Sequence, residues 1–148
     1  MISLICKQYG IENYTINGDG SIDVNGDVNL AFCEHKNKKL PLNFNNVSGD
    51  FFCGRNNLTS LKGCPRWIGD WFDCGNNNLT SLEFGPVYVG TWFDCRYNQL
   101  TDNYSDTEIG GDFYTSLKQD GLTKVNYNEW RKLYKRKKIL DELYTRNM

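Results

Sequence analysis

Three stretches of the chain are near copies of one another: FFCGRNNLTSL from Phe51, WFDCGNNNLTSL from Trp71 and TWFDCRYNQLT from Thr91. Their cysteines, Cys53, Cys74 and Cys95, recur at 21-residue intervals. A unit of that length cannot enclose its own apolar face and must borrow cover from a neighbouring copy. The period therefore predicts a solenoid, and it accounts for half of the six cysteines without invoking chemistry.

Aligned on the cysteine, each copy reads aromatic, any, Cys, any, any, Asn, any, Leu, any, any, Leu. The first two instances are Phe51-Cys53-Asn56-Leu58-Leu61 and Phe72-Cys74-Asn77-Leu79-Leu82. The third is Phe93-Cys95-Asn98-Leu100, with Asn103 where the last Leu belongs. Phe and Cys at alternating positions turn one face of a strand inward. The Asn then bends the chain, and an inward Asn side chain can satisfy the backbone groups that the bend leaves unpaired, so Asn56, Asn77 and Asn98 are expected to form a ladder. Gly63-Cys64-Pro65 and Gly85-Pro86 supply turns on the return path, after which Ile68-Gly69 and Val89-Gly90 lead into the next strand.

Weaker copies flank the good ones. Val24-Asn25-Gly26-Asp27-Val28-Asn29-Leu30 parallels Val47–Cys53, and Ile109-Gly110-Gly111-Asp112-Phe113-Tyr114-Thr115 repeats it with Thr in the Cys slot. About five strands result, the terminal ones atypical as solenoid ends must be. The opening YTINGDGSIDV reads as a hairpin, Tyr14–Asn17 and Ser21–Val24 around Gly-Asp-Gly, closing the first turn.

The repeat resembles the leucine-rich-repeat core LxLxxNxL over roughly residues 22–120, with Phe and Cys in its first two apolar slots. That resemblance implies a curved stack with one short parallel strand per turn. The short Cys-containing form is also similar to repeats in uncharacterised tailed-phage proteins, which implies a phage protein acting in a host cytoplasm. The expected architecture is an α/β repeat: a hairpin cap over residues 1–21, a leucine-rich-repeat-like solenoid with a parallel sheet over 22–124, and a C-terminal helix over 125–148.

The period changes in that last segment. Asn126 followed by Glu129 reads as a capping box, with Val125 and Trp130 as a hydrophobic staple. Trp130, Leu133, Tyr134, Leu140, Leu143 and Tyr144 then recur at helical spacing, predicting an amphipathic helix over about 127–145. Charge divides there too. Residues 129–148 carry seven Lys/Arg and three acids, a net +4, whereas the whole chain is at −1, which leaves −5 on the remainder. An acidic body and a basic tail attract each other or meet different partners.

No apolar run approaches the roughly 18–20 residues of a membrane span, and MISLICKQYG lacks a basic leader and cleavage site, so neither a membrane anchor nor a secretory signal is expected. Reduced, buried thiols in a cytosolic setting follow from that reading. The spacings hold no paired CxxC or HxxH set, and His35 is the single histidine, so no metal or other cofactor is expected. With no Gly-x-Ser-x-Gly turn and no phosphate loop, no catalytic set is expected and an enzyme is the least supported class.

The outward strand residues are the candidate binding surface: Phe52 and Arg55, Trp71 and Asp73, Trp92, Asp94, Arg96 and Tyr97, and Tyr114. Trp, Tyr and Arg dominate binding hot spots, although aromatics on strands also pack on one another as sheet formers. Asp73 and Asp94 could be read as a carboxylate pair for acid–base work; their recurrence with the period argues for a structural slot. The run Lys135-Arg136-Lys137-Lys138 invites a nucleic-acid reading, but four consecutive positions spread around a helix and no aromatic stacking platform alternates with them. Nucleic acid is therefore not the expected partner. The expected function is non-catalytic binding of another protein through the strand face. Self-association as a virion or homo-oligomer subunit is one alternative, and nucleic-acid binding through the basic helix is the other.

Overall fold

The computed structural model describes residues 1–34, 36–102, 105–116 and 124–148. His35 and Asn103, singled out above, lie outside the described residues. So do the side chains of Val125, Asn126 and Trp130. A short helix α1 (Ile2–Gln8) opens the chain, followed by β1 (Tyr14–Ile16), β2 (Ile22–Val24), β3 (Val28–Asn29), β4 (Phe44–Val47) and β5 (Phe51–Phe52). Next come β6 (Trp67–Ile68), β7 (Phe72–Asp73), β8 (Tyr88–Val89), β9 (Phe93–Asp94), β10 (Glu108–Ile109) and β11 (Phe113–Tyr114), and helix α2 (Lys124–Arg146) closes the chain.

Each turn carries two short strands, not one. The Cys-bearing repeats form a five-stranded parallel sheet in the order β11-β9-β7-β5-β3, the cysteine sheet below. The segments read as mere lead-ins form a second sheet, β1-β2-β4-β6-β8-β10, the lead-in sheet, parallel except for the antiparallel β1–β2 hairpin. Two parallel sheets joined at a corner make a β-solenoid of about four turns. The corner is tight because Gly69, Gly90 and Gly110 sit there: a Cβ on any of them would collide with the backbone of Ser48, Gly69 or Gly90 in the preceding turn.

Register fixes the repeat lengths. Val28 lies opposite Phe51, Phe51 opposite Phe72, Phe72 opposite Phe93 and Phe93 opposite Phe113, so successive turns are 23, 21, 21 and 20 residues long. The core is a bundle of columns with one side chain per turn: Phe51, Phe72, Phe93 and Phe113; Cys53, Cys74, Cys95 and Thr115; Val47, Ile68, Val89 and Ile109; Leu58, Leu79 and Leu100. The phenylalanine rings follow one another at 6.2, 4.8 and 5.2 Å between centroids. None of the six cysteines is in a disulfide. Leu30, whose amide bonds to Phe52 O as that of Cys53 bonds to Asp73 O, fills the cysteine slot of the first turn. Cys33 instead lies level with Asn56.

The asparagines form the expected ladder and do more than bend the chain. Asn77 Nδ2 donates to Cys74 O at 3.0 Å in its own turn and to Cys53 O at 3.1 Å in the turn before. Its Oδ1 accepts from the Asn56 and Leu58 amides, each at 3.0 Å. Asn56 repeats this with Leu30 O, Cys53 O and the Cys33 and Glu34 amides. Asn98 repeats it with Cys74 O, Cys95 O and the Leu79 amide. Each side chain thus staples two turns.

Both ends carry elements of another kind. Helix α1 buries Cys6, with Ile2, Ile5 and Tyr9 packed against the core; burial pushes the Cys6 thiol up. Helix α2 begins at Lys124, ahead of the capping box read at Asn126. It docks through Tyr127, fully buried and stacked on Phe113 at 4.4 Å, and through Arg131, whose Nη1 donates to Asp106 O and Thr107 O. Its later turns expose Ile139, Leu140, Leu143 and Tyr144. No helix among the described residues is long and apolar enough to cross a membrane.

Candidate interaction face

The cysteine sheet alternates inward Phe and Cys with outward residues, and the register sets Phe52, Asp73, Asp94 and Tyr114 in one row. Beside that row run the residues that enter each strand, among them Trp71 and Trp92. Trp71 packs edge-to-face on Phe52 at 5.3 Å and on Trp92 at 5.6 Å. Edge-to-face pairing suits the ring quadrupoles and locks the aromatics into a continuous ribbon. Its Nε1 is buried with no hydrogen-bond partner among the described residues, so Trp71 is held by its rings rather than by its polar tip. Trp92 ends the ribbon at 45% exposure.

The acidic positions repeat one small device. Asp73 Oδ1 accepts the Gly75 amide at 2.8 Å, Asp94 Oδ1 accepts the Arg96 amide at 3.0 Å, and Asn29 Oδ1 accepts the Ala31 amide at 3.0 Å. An Asx side chain closing on the amide two residues ahead is turn chemistry, which explains why the slot recurs with the period. The two carboxylates are nevertheless unequal. Asp94 is buried and gripped by Arg96, whose Nη2 reaches Oδ2 at 2.6 Å while Nε lies 3.1 and 3.2 Å from the two oxygens. Asp73 has no such counter-ion in contact among the described residues. Burial and then the neighbouring Asp94 charge raise its carboxyl above the usual carboxylate range, against the Gly75 amide and the more distant Arg96 and Arg55.

The remaining expected residues border the ribbon. Arg96 also lies over the Tyr114 ring at 5.2 Å, and the Tyr114 hydroxyl donates to Asp112 Oδ2 at 3.3 Å. Arg55 lies over the Phe32 ring at 5.0 Å. Phe32, Arg55, Asn76 and Tyr97 all have positive φ, between 54° and 59°. The first three reach the next turn in the same way, through Phe32 N to Gly54 O, Arg55 N to Gly75 O and Asn76 N to Arg96 O. They form one column of left-handed residues along the sheet margin, with Phe32 (70% exposed) and Tyr97 (66% exposed) at its ends. The sequence reading missed Phe32, which aligns with Arg55 only once the first turn is known to have 23 residues.

Lys135, Arg136, Lys137 and Lys138 are exposed on α2, outside this face; Lys135 Nζ lies 3.9 Å from Asp106 Oδ1. A second aromatic feature was also missed. On the lead-in sheet Trp67 and Tyr88 stack face to face, with centroids 4.1 Å apart and planes 23° apart. They alternate with the buried Ile68 and Val89 and so point outward, on the return path that leads into the next strand. Comparison with protein-family models, with curated proteins and with solved structures finds no match for the chain.

Proposed function

We propose that the chain is a non-catalytic module that binds another protein through the outward face of its cysteine sheet. The observation that carries this reading is the pre-packed Phe52–Trp71–Trp92 ribbon, bordered by Arg55, Arg96 and Tyr97, on a scaffold whose backbone is stapled turn by turn. Aromatics already ordered lose little conformational freedom on association, and Trp, Tyr and Arg are the side chains that carry most interface energy. The Asn ladder and the inward Phe, Cys and Leu columns support the leucine-rich-repeat resemblance. The likeness to tailed-phage repeats makes a host protein in the cytoplasm the partner class.

The test compares affinity capture by the wild-type chain with capture by Trp92→Ala and Arg55→Ala variants of unchanged melting behaviour. A species retained by the wild type and lost by both variants supports the reading. An identical set of captured proteins for all three contradicts it.

A second reading, a subunit of a virion or homo-oligomer, is favoured by one observation: the apolar side chains of Leu133, Ile139, Leu140, Leu143 and Tyr144 are exposed on α2. Sedimentation at tens of micromolar separates the two readings, since a clean monomer there disfavours self-assembly. Nucleic-acid binding through Lys135–Lys138 would show as salt-dependent affinity lost with residues 128–148.

A further inference from the structure

The outward row of the lead-in sheet changes character along its length. Register places Thr15 opposite Asp23, Asp23 opposite Asn46, Asn46 opposite Trp67 and Trp67 opposite Tyr88. Tyr88 covers one face of the Trp67 indole. On the other side the next rung is Asn46, which has no ring to continue the stack, and Trp67 stands 49% exposed above a polar floor. A groove of about 560 Å3 opens there, bounded by Trp67, Asn46, Asp23, Asn25, Thr15 and Asn13. That volume lies within the roughly 300–1,000 Å3 of ligand pockets.

The floor is held in place. Asp23 Oδ1 is fixed by Asn45 Nδ2 at 2.9 Å and by the Asn46 amide at 3.1 Å. Ser48 Oγ accepts from the Gly26 amide and donates to Asn25 Oδ1 at 3.1 Å, which orients that amide and leaves its Nδ2 without a protein acceptor among the described residues. The side-chain amide of Asn46 and the Thr15 hydroxyl likewise make no hydrogen bond to protein among the described residues. The groove thus offers one apolar wall beside a set of acceptors and donors, of which Asp23 and Asn25 are held in place by hydrogen bonds.

We propose that this groove binds a neutral pyranose ring, its C–H face on Trp67 and its hydroxyls on Asp23, Asn25 and Asn46. The wall takes a flat apolar face one ring wide. Hydroxyls, each both donor and acceptor, match a carboxylate that only accepts and amides that do both. Among the described lining residues none is Lys or Arg, so a phosphate or carboxylate ligand would meet Asp23 with no counter-charge. This site is distinct from the cysteine-sheet face, and its test does not depend on that reading.

The experiment titrates the full chain with methyl β-D-glucopyranoside, its galacto, manno and N-acetylglucosamine analogues and cellotetraose, with adenosine as a flat heteroaromatic control. Binding is read by saturation-transfer NMR and calorimetry. A monosaccharide Kd on the order of 1 mM is expected for at least one configuration. Transfer should be strongest to the ring C–H protons. Trp67→Ala should weaken binding at least about tenfold, Trp67→Phe should retain part of it, and Trp92→Ala should leave it unchanged. Tighter binding of cellotetraose assigns a polymeric glycan, and equal binding assigns a free sugar; both support the proposal. No binding by any sugar, binding indifferent to Trp67→Ala, or binding of adenosine alone overturns it.

Discussion

At the scale of one residue, Asn77 ties its turn to the one before it through its side chain alone. It meets three carbonyls and two amides across two turns, and removing it strands groups that cost about 1–3 kcal/mol each when left unpaired in the interior. Asn77→Ala should therefore destabilise the chain by roughly 3–4 kcal/mol in urea titrations. Asn98→Ala, at a half-exposed position with fewer partners, should cost clearly less; equal losses would contradict the ladder. Asp73 makes the opposite prediction. Its folded-state carboxyl is raised, so the charged form is the penalised one, and wild-type stability falls as pH climbs from the ordinary carboxylate range through the elevated value. Asp73→Asn, whose Oδ1 can still accept the Gly75 amide, should gain over wild type across that window, hold the gain at neutral pH and lose it in acid. Denaturation midpoints of the two proteins across pH read this directly. The Phe, Cys and Asn slots were legible because periodicity marks them. The inequality of Asp73 and Asp94 was not, because it comes from an arginine in one turn and a glycine at the equivalent position in another.

At the scale of elements, the cysteine sheet could be read from the chain, whereas the lead-in sheet could not. A strand such as Trp67–Ile68 or Tyr88–Val89 gives one outward and one inward residue, too few to display alternation, and only pairing across turns makes it a strand. The corner that joins the sheets makes a sharp prediction. A Cβ at Gly90 meets the backbone of Gly69, which cannot rotate aside, so Gly90→Ala should cost about 3 kcal/mol, the upper end of overpacking. A cost near zero would mean that the corner does not stack. Helix α2 was visible from its period, but its anchor was not. Of the apolar stripe, Leu133 and Leu140 are exposed, while Tyr127 is the residue buried. Tyr127→Ala should cost about 3–5 kcal/mol by the precedent of large aromatic truncations, and hydrogen exchange should show α2 losing protection. Helix α1 escaped notice because seven residues without a side-chain cap hold their form by burying Cys6, not by propensity.

At the scale of the whole molecule, the fold is a one-dimensional stack in which stability is a sum of turn and turn–turn terms. The number of turns and their order follow from counting repeats. The cross-section does not, since it depends on how the return path folds back, and there the sequence offers only Gly, Pro and isolated apolar residues. The two-sheet cross-section creates two outward faces: an aromatic ribbon on one and a groove beside stacked rings on the other. Both readings of function rest on it. Cross-turn NOEs in a methyl- and aromatic-labelled sample test it most directly. Contacts linking Phe51 to Phe72 and Phe93, together with contacts linking Ile68 to Val89 and Ile109, are the expected result. Phenylalanine contacts without any among Ile68, Val89 and Ile109 would leave one sheet where two are claimed, and contradict the account.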